Sequence, residues 1–191
     1  MKIGIFGGSF NPIHNGHLII AEYIREIINL DKIIFIPVGK PSHRENNLEE
    51  RLLRAEMVKR AISKNEYFEF SDIEIKKETT SYSIDTLREL IRIHGEHEYF
   101  EIIGQDAAEI LSTWKEIDNL MQMAKFLILK RFGSNFINSY DRAEIIEGPI
   151  IEISATEIRN RIKSGKSIKY LVPEDVEEII INNKLYRGEE E

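Results

Sequence analysis

The sequence predicts an α/β fold, an open parallel sheet with helices on both faces. Short β-branched and aromatic runs alternate with amphipathic helical segments along most of the 191 residues. Two later runs, residues 99–103 and 126–129, are predominantly apolar, which is typical of strands covered on both faces. We find no linker long enough to divide the chain, so residues 1–191 are expected to form one domain.

The predicted elements follow one another in a regular order. The predicted strands cover residues 2–6, 33–37, 67–75, 99–103, 126–129 and 150–153. Helices are predicted to begin near Gly16, at caps Asn47, Ser83 and Ser154, and at Ala107, Ile117 and Val176. Leu52 is assigned to the apolar stripe of the second helix, and the Gly-, Asn- and Ser-rich residues 131–148 to a surface loop.

Composition excludes several classes of function. The 33 acidic residues outnumber the 26 lysines and arginines, and the net charge of −7 argues against nucleic acid and anionic membranes as partners. The absence of cysteine excludes a disulfide scaffold, a thiolate metal site and a cysteine nucleophile. Neither a signal segment nor a membrane-length apolar run is visible, so we expect a cytoplasmic protein. The composition leaves homo-oligomerisation open.

Residues 7–17 carry the strongest chemical signal. They read Gly-Gly-Ser-Phe-Asn-Pro-Ile-His-Asn-Gly-His, and they join the first strand to the first helix. Ligands of open α/β sheets bind beyond the carboxyl ends of the strands, and a helix amino terminus attracts phosphate. His14 and His17 are three residues apart, so both imidazoles can lie on one face at this helix start and donate hydrogen bonds to phosphate oxygens.

Other binding motifs fit the sequence less well. The spacing of a dinucleotide-binding G-x-G-x-x-G turn is absent, and residues 164–167 imitate a P-loop but lack its first glycine. A zinc site at His14 and His17 would need a third ligand, so no metal-binding residue is assigned. From these residues alone, a second interpretation stays open, in which the two histidines only cap the helix of an ordinary strand-to-helix turn.

A second signal lies far along the chain, at residues 153–159. Ser154 and Glu157 have the spacing of a capping box, which explains part of this segment. Capping does not explain Thr156 or Arg159, whose hydroxyl and guanidinium groups are donors suited to a polyphosphate.

These motifs resemble a known family. Residues 14–17 are similar to the H-x-G-H signature of the nucleotidyltransferase superfamily, and residues 154–159 are similar to its second signature. Further segments resemble motifs of the nicotinate-nucleotide adenylyltransferases, in the same order, at residues 40–44, 81–87, 104–106, 113–114 and 170–173. The resemblance covers nearly the whole chain and implies a Rossmann-like sheet of the nucleotidyltransferase type.

The resemblance implies transfer of the adenylyl group of ATP to nicotinate mononucleotide, giving deamido-NAD and pyrophosphate, with Mg²⁺ as cofactor. The attacking phosphate is already anionic, so alignment and charge stabilisation suffice and no side-chain nucleophile is needed. The implied catalytic residues are His14, His17 and Arg159. The implied ATP-binding residues are Gly7, Gly8, Ser9, Phe10, His14, His17, Gly104, Asp106, Ser154, Thr156 and Arg159.

The resemblance also implies an acceptor site. Its residues are His43, Arg44, Tyr82, Ser83, Thr86 and Trp114. Spacing alone leaves Trp114 open as a core anchor and Asp106 as a helix cap. Arg44 stands where many family members have lysine, and Ala155 where many have serine, so the phosphate contacts there are expected to differ.

Two alternatives to this function stay open. The same chemistry could use nicotinamide mononucleotide or phosphopantetheine as acceptor, although residues 81–87 and Trp114 argue against phosphopantetheine. A non-catalytic nucleotide-binding regulator is the rival of another class, and the presence of His14, His17 and Arg159 disfavours it.

Overall fold

A computed structural model describes residues 1–39, 48–77, 79–130 and 133–187. Its six strands form one sheet in the order β3-β2-β1-β4-β5-β6, and every neighbouring pair is parallel. The strands are β1 (Lys2–Gly8), β2 (Lys32–Pro37), β3 (Phe68–Phe70), β4 (Glu98–Gly104), β5 (Ala124–Leu129) and β6 (Ala143–Ile146).

Helices connect the strands. In the described part of the chain they are α1 (Asn15–Ile28), α2 (Leu48–Ile62), α3 (Ser83–His94), α4 (Gln105–Glu109), α5 (Ile117–Met123), α6 (Ala155–Lys163) and α7 (Glu174–Asn182), with a 3₁₀ turn at Leu111–Thr113. None of these helices is long and apolar enough to cross a membrane.

The sheet is covered on both faces, as predicted. Alternate side chains of a strand point to opposite faces, so Phe6 of β1 joins one apolar cluster and Ile5 joins the other. The Phe6 cluster is completed by apolar residues of α1, α2, α6 and α7. The Ile5 cluster is completed by residues of α3, α4 and α5. The alternation of strands and helices in the sequence therefore predicted the fold class correctly.

The strand order creates one reversal point. From β1 the chain adds β2 and β3 on one side, whereas β4 pairs with the other side of β1 and is followed outward by β5 and β6. A crevice at the carboxyl ends of β1 and β4 is the place where open α/β sheets bind their ligands. The turn after β1 carries His14 and His17, so the fold puts the predicted histidines at this crevice.

The prediction for the last strand was wrong. Residues 150–153 form no strand, and Ile150 is 61% exposed, whereas Ala143–Ile146 within the predicted loop pairs with β5. The Asn138 side chain donates to the carbonyl of Ala143 at 2.6 Å, and the Phe126 amide donates to the carbonyl of Arg142 at 2.8 Å. These bonds fix the chain where β6 begins to pair with β5. The segment before β6 is polar, so hydrophobic periodicity does not predict a strand there.

Smaller corrections concern strand and helix bounds. Only Phe68–Phe70 of the predicted extended residues 67–75 is a strand, because the chain turns after it and the Ile75 amide donates to the Asp72 carbonyl at 3.0 Å. Leu52 is 53% exposed and does not belong to the buried stripe of α2.

The helix caps also differ in part from the prediction. Ser83 is the first residue of α3, and Tyr82 is its N-cap. Ser154 does cap α6, since its Oγ accepts the Glu157 amide at 3.1 Å, and this one bond is the part of the predicted capping box that is found. Asn47 lies outside the described residues.

Candidate active site

Two histidines form the centre of the site. His14 is the N-cap of α1 and His17 lies in its first turn, and their rings stack with centroids 3.6 Å apart and an interplanar angle of 24°. The His14 amide donates to Nδ1 of His17 at 3.2 Å. Because Nδ1 accepts this bond, the neutral His17 ring carries its proton on Nε2 and presents a donor there.

Burial keeps both rings neutral. Desolvation lowers the pKa of His14 to about 4. Desolvation, with the nearby His14 as a second cause, lowers the pKa of His17 to about 3. Near pH 7 the pair therefore offers N–H donors without a buried positive charge, which suits contact with an anion that brings its own charge.

Gly16 makes room for this pair. A Cβ added at Gly16 would lie 3.0 Å from Nδ1 of His14 and 3.3 Å from a methyl group of Ile151. Any larger residue would push the His14 ring out of place, so a glycine is needed between the histidines for steric reasons.

The backbone at this helix start is less available than the sequence suggested. The Asn15 amide donates to the carbonyl of Leu171 at 2.9 Å, and the His17 amide donates to the carbonyl of His14 at 2.9 Å. Two of the amides expected to attract phosphate are therefore engaged within the protein, and the imidazoles become the principal donors of this turn.

Arg159 joins the second signature to the first. Its Nη1 donates to the carbonyl of Asn11 at 2.7 Å, and its Nη2 donates to Oγ1 of Thr156 at 3.1 Å. Asn11 lies three residues before His14 in the same turn, so the predicted residues His14, His17, Thr156 and Arg159 are brought to one end of the sheet. Ser154 reaches the same end as the N-cap of α6.

Two residues that the sequence analysis missed hold this turn. Arg54 is 2% exposed, and it donates to the carbonyl of Ser9 at 2.6 Å and to that of Val38 at 2.8 Å. The Tyr186 hydroxyl donates to Oδ1 of Asn11. Arg54 could have been noticed in the sequence, because it is an arginine on the apolar side of α2. No local pattern connects Tyr186 with a turn 175 positions away.

Phe10 supports the pair from beneath. Its ring is 2% exposed, and its centroid lies 5.1 Å from that of His17 and 5.6 Å from that of Phe6. Phe10 adopts a left-handed φ of 44°, and a Cβ at Gly8 would lie 3.1 Å from its ring. With its ring buried, Phe10 can offer a nucleotide only its backbone.

The other predicted ATP-binding residues lie at the ends of the two central strands. Gly7 and Gly8 end β1, while Gly104 ends β4 and serves as N-cap of α4. Asp106 is exposed in the first turn of α4. These residues lie at or just after the carboxyl ends of β1 and β4, at the reversal point of the sheet.

A cavity of about 480 Å³ lies beside the turn. Asn11, Arg159, Arg54 and Tyr186 contribute to its wall, together with Lys163 from the last turn of α6. The carboxylate of Glu50 and the apolar side chains of Leu53, Met57 and Leu185 also line it.

The predicted acceptor residues lie on the other side of β1. Tyr82 and Ser83 begin α3, and Trp114 is half-buried, with its ring centroid 6.3 Å from that of Phe126 in an edge-to-face arrangement. Lys115 connects the two segments, since its Nζ lies 4.8 Å from the centroid of the Tyr82 ring. His43 and Arg44 lie outside the described residues.

Thr86 takes part in a buried polar group that the sequence analysis missed. Its hydroxyl donates to Glu74 at 2.8 Å, and both residues are buried. Burial raises the pKa of Glu74, and burial with the neighbouring Glu74 raises the pKa of Glu101 to about 8. Thr86 therefore anchors α3 with its side chain, and Glu101 was visible in the sequence as the one charge within the apolar residues 99–103.

No group of three or more histidine, aspartate or glutamate side chains in the described part of the chain could hold a metal ion. The donors at the crevice are N–H groups of imidazole and guanidinium, which suit phosphate oxygens rather than a cation.

Comparison with known proteins agrees with this geometry. A model of the cytidylyltransferase-like family matches residues 5–161. A probable nicotinate-nucleotide adenylyltransferase of Fusobacterium nucleatum is 44% identical over 188 residues, covering 94% of this chain and 97% of that protein. A protein of the same name from Dictyoglomus turgidum is 42% identical over 199 residues, covering 100% and 98%.

A solved structure shows the same fold. It is a Plasmodium falciparum nicotinic acid mononucleotide adenylyltransferase complexed with NaAD, and it superposes with a TM-score of 0.80 at 21% identity over 97% of each chain. The family match and the identity to the two bacterial relatives decide the classification. The chain belongs to the cytidylyltransferase-like family and, within it, to the nicotinate-nucleotide adenylyltransferases.

Proposed function

We propose that this protein transfers the adenylyl group of ATP to the phosphate of nicotinate mononucleotide, forming deamido-NAD and releasing pyrophosphate. The observation that carries the proposal is the stacked, neutral pair of His14 and His17 at the crevice between β1 and β4. The names of the bacterial relatives support the same acceptor.

The reaction is one displacement at the α-phosphorus of ATP. An oxygen of the mononucleotide phosphate forms the new P–O bond, and the bond to the oxygen that bridges the α- and β-phosphates breaks. That electron pair leaves with pyrophosphate. No proton has to be removed from the attacking oxygen, so the protein needs to align the two phosphates and stabilise the developing charge.

The side chains divide this work. His17 would donate from Nε2 to the α-phosphate, and the stacked His14 would hold its ring in position. Arg159 would bind the β- and γ-phosphates beside the cavity, with Ser154 and Thr156 adding hydroxyl groups. Gly104 and Asp106 would lie near the nucleoside.

Mg²⁺ fits this set of donors as a companion of ATP. A magnesium ion bound mainly to phosphate oxygens and water needs few protein ligands, and the crevice provides N–H donors instead of a carboxylate cage. When bound, the ion would neutralise charge on the triphosphate.

The acceptor would lie against the segments on the other side of β1. Trp114 would stack on the pyridine ring, and Tyr82 and Ser83 would form the wall at the start of α3, with the buried Thr86 supporting that wall through its bond to Glu74. The family resemblance assigns His43 and Arg44 to the acceptor phosphate, and both lie outside the described residues.

The test is release of pyrophosphate from ATP and Mg²⁺ with nicotinate mononucleotide, with nicotinamide mononucleotide, and without an acceptor. We expect release that depends on the acceptor and is faster with the nicotinate compound. Equal use of both compounds would keep the transferase and reject selection of the acid. No release with either acceptor would reject the proposed function and favour a protein that only binds nucleotide.

A further inference from the structure

The end of the described chain reaches the turn between β1 and α1. The Tyr186 hydroxyl donates to Oδ1 of Asn11, and burial raises the pKa of Tyr186, so this donor keeps its proton at neutral pH. The Asn11 carboxamide has a second partner, because its Nδ2 donates to Oε1 of Glu50 in α2 at 3.2 Å. Both ends of the Asn11 side chain are therefore held, and the two partners come from different parts of the fold.

The way α7 ends explains how Tyr186 comes to this place. The Lys184 amide donates to the carbonyl of Ile181 at 3.1 Å, and Lys184 has a left-handed φ of 51°. The Leu185 amide donates to the carbonyl of Ile180 at 2.9 Å. This pair of bonds is the Schellman arrangement, which ends a helix and changes the direction of the chain. Leu185 packs against the apolar cluster on one face of the sheet, so the residue that follows it has a defined position.

Asn11 in turn orients Arg159. The Asn11 carbonyl accepts Nη1 of Arg159 at 2.7 Å, and Oγ1 of Thr156 accepts Nη2 at 3.1 Å. A guanidinium group is planar, so these two contacts fix the plane of its fork. Thr156 lies one turn away in the same helix. The Asn11 carbonyl is therefore the contact that orients the guanidinium relative to the turn that carries His14 and His17.

The guanidinium of Arg159 keeps donors for a ligand. It carries five N–H bonds, and the contacts with Asn11 and Thr156 use two of them. The direction of the remaining three depends on where the Asn11 carbonyl lies. Because the Asn11 side chain is bonded to Tyr186, loss of that bond would let Asn11 shift and would redirect the donors of Arg159.

We propose that Tyr186 is a positioning residue for adenylyl transfer, which fixes Asn11 so that its carbonyl group orients the Arg159 guanidinium toward the phosphates of ATP. This inference rests on the proposed function. Tyr186 acts through two other residues and needs no contact with a substrate. A misplacement of about 1 Å in an aligned site can lower a rate about a hundredfold, so one hydroxyl far along the chain can matter for turnover.

The competing explanation is that Tyr186 only anchors the end of the chain. An anchor contributes to the free energy of unfolding, and its loss leaves kcat unchanged in the fraction that is folded. A positioning residue changes kcat in the folded protein, and its effect depends on the residue through which it acts. The two explanations therefore differ in the coupling between Tyr186 and Arg159.

The chain contains a matched control. The Tyr99 hydroxyl also donates to an oxygen of the protein, the carbonyl of Gly95, at 2.8 Å. Tyr99 lies near the amino end of β4, at the edge of the sheet opposite the crevice. Tyr186→Phe and Tyr99→Phe therefore each remove one hydrogen-bonded hydroxyl and keep the ring, at opposite ends of the strands.

The experiment measures kcat, KM for ATP and KM for nicotinate mononucleotide, with Mg²⁺ saturating, well below the melting temperature of each variant. In Tyr186→Phe we expect kcat to fall about tenfold and KM for nicotinate mononucleotide to stay unchanged. Tyr99→Phe should keep the wild-type kcat. A change of similar size in the melting temperatures of the two variants would show that stability does not explain the difference.

A double variant tests the route through Arg159. Arg159→Lys removes the fork that Asn11 orients, so adding Tyr186→Phe to it should lower kcat further by less than about twofold. An unchanged kcat in Tyr186→Phe, an equal fall in Tyr99→Phe, or a full tenfold fall in the Arg159→Lys background would overturn the inference. If the wild type transfers to neither acceptor, the proposed function itself fails, which is a different outcome.

Discussion

The turn that carries His14 and His17 is buried and tied to backbone carbonyl groups, whereas the segment around Tyr82 and Lys115 is exposed and tied by ion pairs between side chains. The first region, which we call the phosphate region, consists of Asn11, His14, His17 and Arg159. The second, the acceptor region, consists of Tyr82, Trp114 and Lys115 and the start of α3.

The difference corresponds to two tasks. A reaction centre gains from donors held in one geometry, which buried hydrogen bonds provide. Exposed ion pairs add little stability, and their partners can exchange with a ligand. We therefore expect changes in the phosphate region to alter the rate of the chemical step, and changes in the acceptor region to alter which acceptor is bound.

The largest effect is expected from His17→Ala. Loss of the Nε2 donor should lower kcat about a hundredfold to a thousandfold, with much smaller changes in the melting temperature. His97→Ala is the control, since that histidine lies before β4 at the opposite edge of the sheet. Unchanged turnover in a folded His17→Ala protein would refute the assignment of this residue.

Arg159→Lys should have the next largest effect. A lysine cannot reproduce the fork that reaches both Asn11 and Thr156, so we expect kcat/KM for ATP to fall about tenfold to a hundredfold. Arg161→Lys changes a neighbouring arginine of α6 that donates to the carbonyl of Ser167 instead. Similar kinetics for the two variants would show that Arg159 has no special role with ATP.

Trp114→Ala moves the test to the acceptor region. Loss of the stacking surface should raise KM for nicotinate mononucleotide about tenfold and leave KM for ATP unchanged. Because Trp114 also packs against Phe126, Trp114→Phe serves as a milder variant that keeps a ring in place. Equal acceptor affinity in wild type and Trp114→Ala would assign the tryptophan to the core alone.

The smallest effect concerns pH and stability. The folded pKa of His17 is about 3, below its unfolded value of about 6.5, so the unfolded chain binds more protons between these values. His17 therefore makes the free energy of unfolding decrease as pH falls from about 6.5 toward 3. Glu101 acts in the opposite direction, because its folded pKa of about 8 favours the folded state as pH falls from 8 toward its unfolded value.

Comparing variants separates these opposing contributions. Between pH 6.5 and 4.5, urea denaturation of His17→Asn should give a free energy of unfolding that depends less steeply on falling pH than that of the wild type. The same slope in wild type and His17→Asn would mean that the His17 ring is protonated as readily in the folded protein as in the unfolded one.

The two regions also differ in how far the sequence predicted them. The glycine turn and its histidines are local in sequence, and a turn between a strand and a helix has a known place in an α/β sheet, so His14 and His17 were placed correctly. The contact of Arg159 with Asn11 spans 148 positions, and only the resemblance to a family linked those segments.

Features that depend on packing were not predicted. Lys115 was not singled out in the sequence, because no local pattern connects it with the ring of Tyr82, 33 positions away. The edge strand β6 was missed because it is only four residues long and its pairing with β5 depends on a turn held by the Asn138 side chain. Periodicity identifies elements that bury an apolar face, and it is weak for short edge strands.

The central claim is that the phosphate region directs a single displacement at the α-phosphorus of ATP. The most direct test uses nicotinate mononucleotide with heavy oxygen in its phosphate, together with ATP and Mg²⁺, and analyses both products by mass spectrometry. We predict that the dinucleotide keeps all of the label and that pyrophosphate carries none. Label in pyrophosphate, release of AMP by attack at the β-phosphorus, or isolation of an adenylylated protein during turnover would contradict the account.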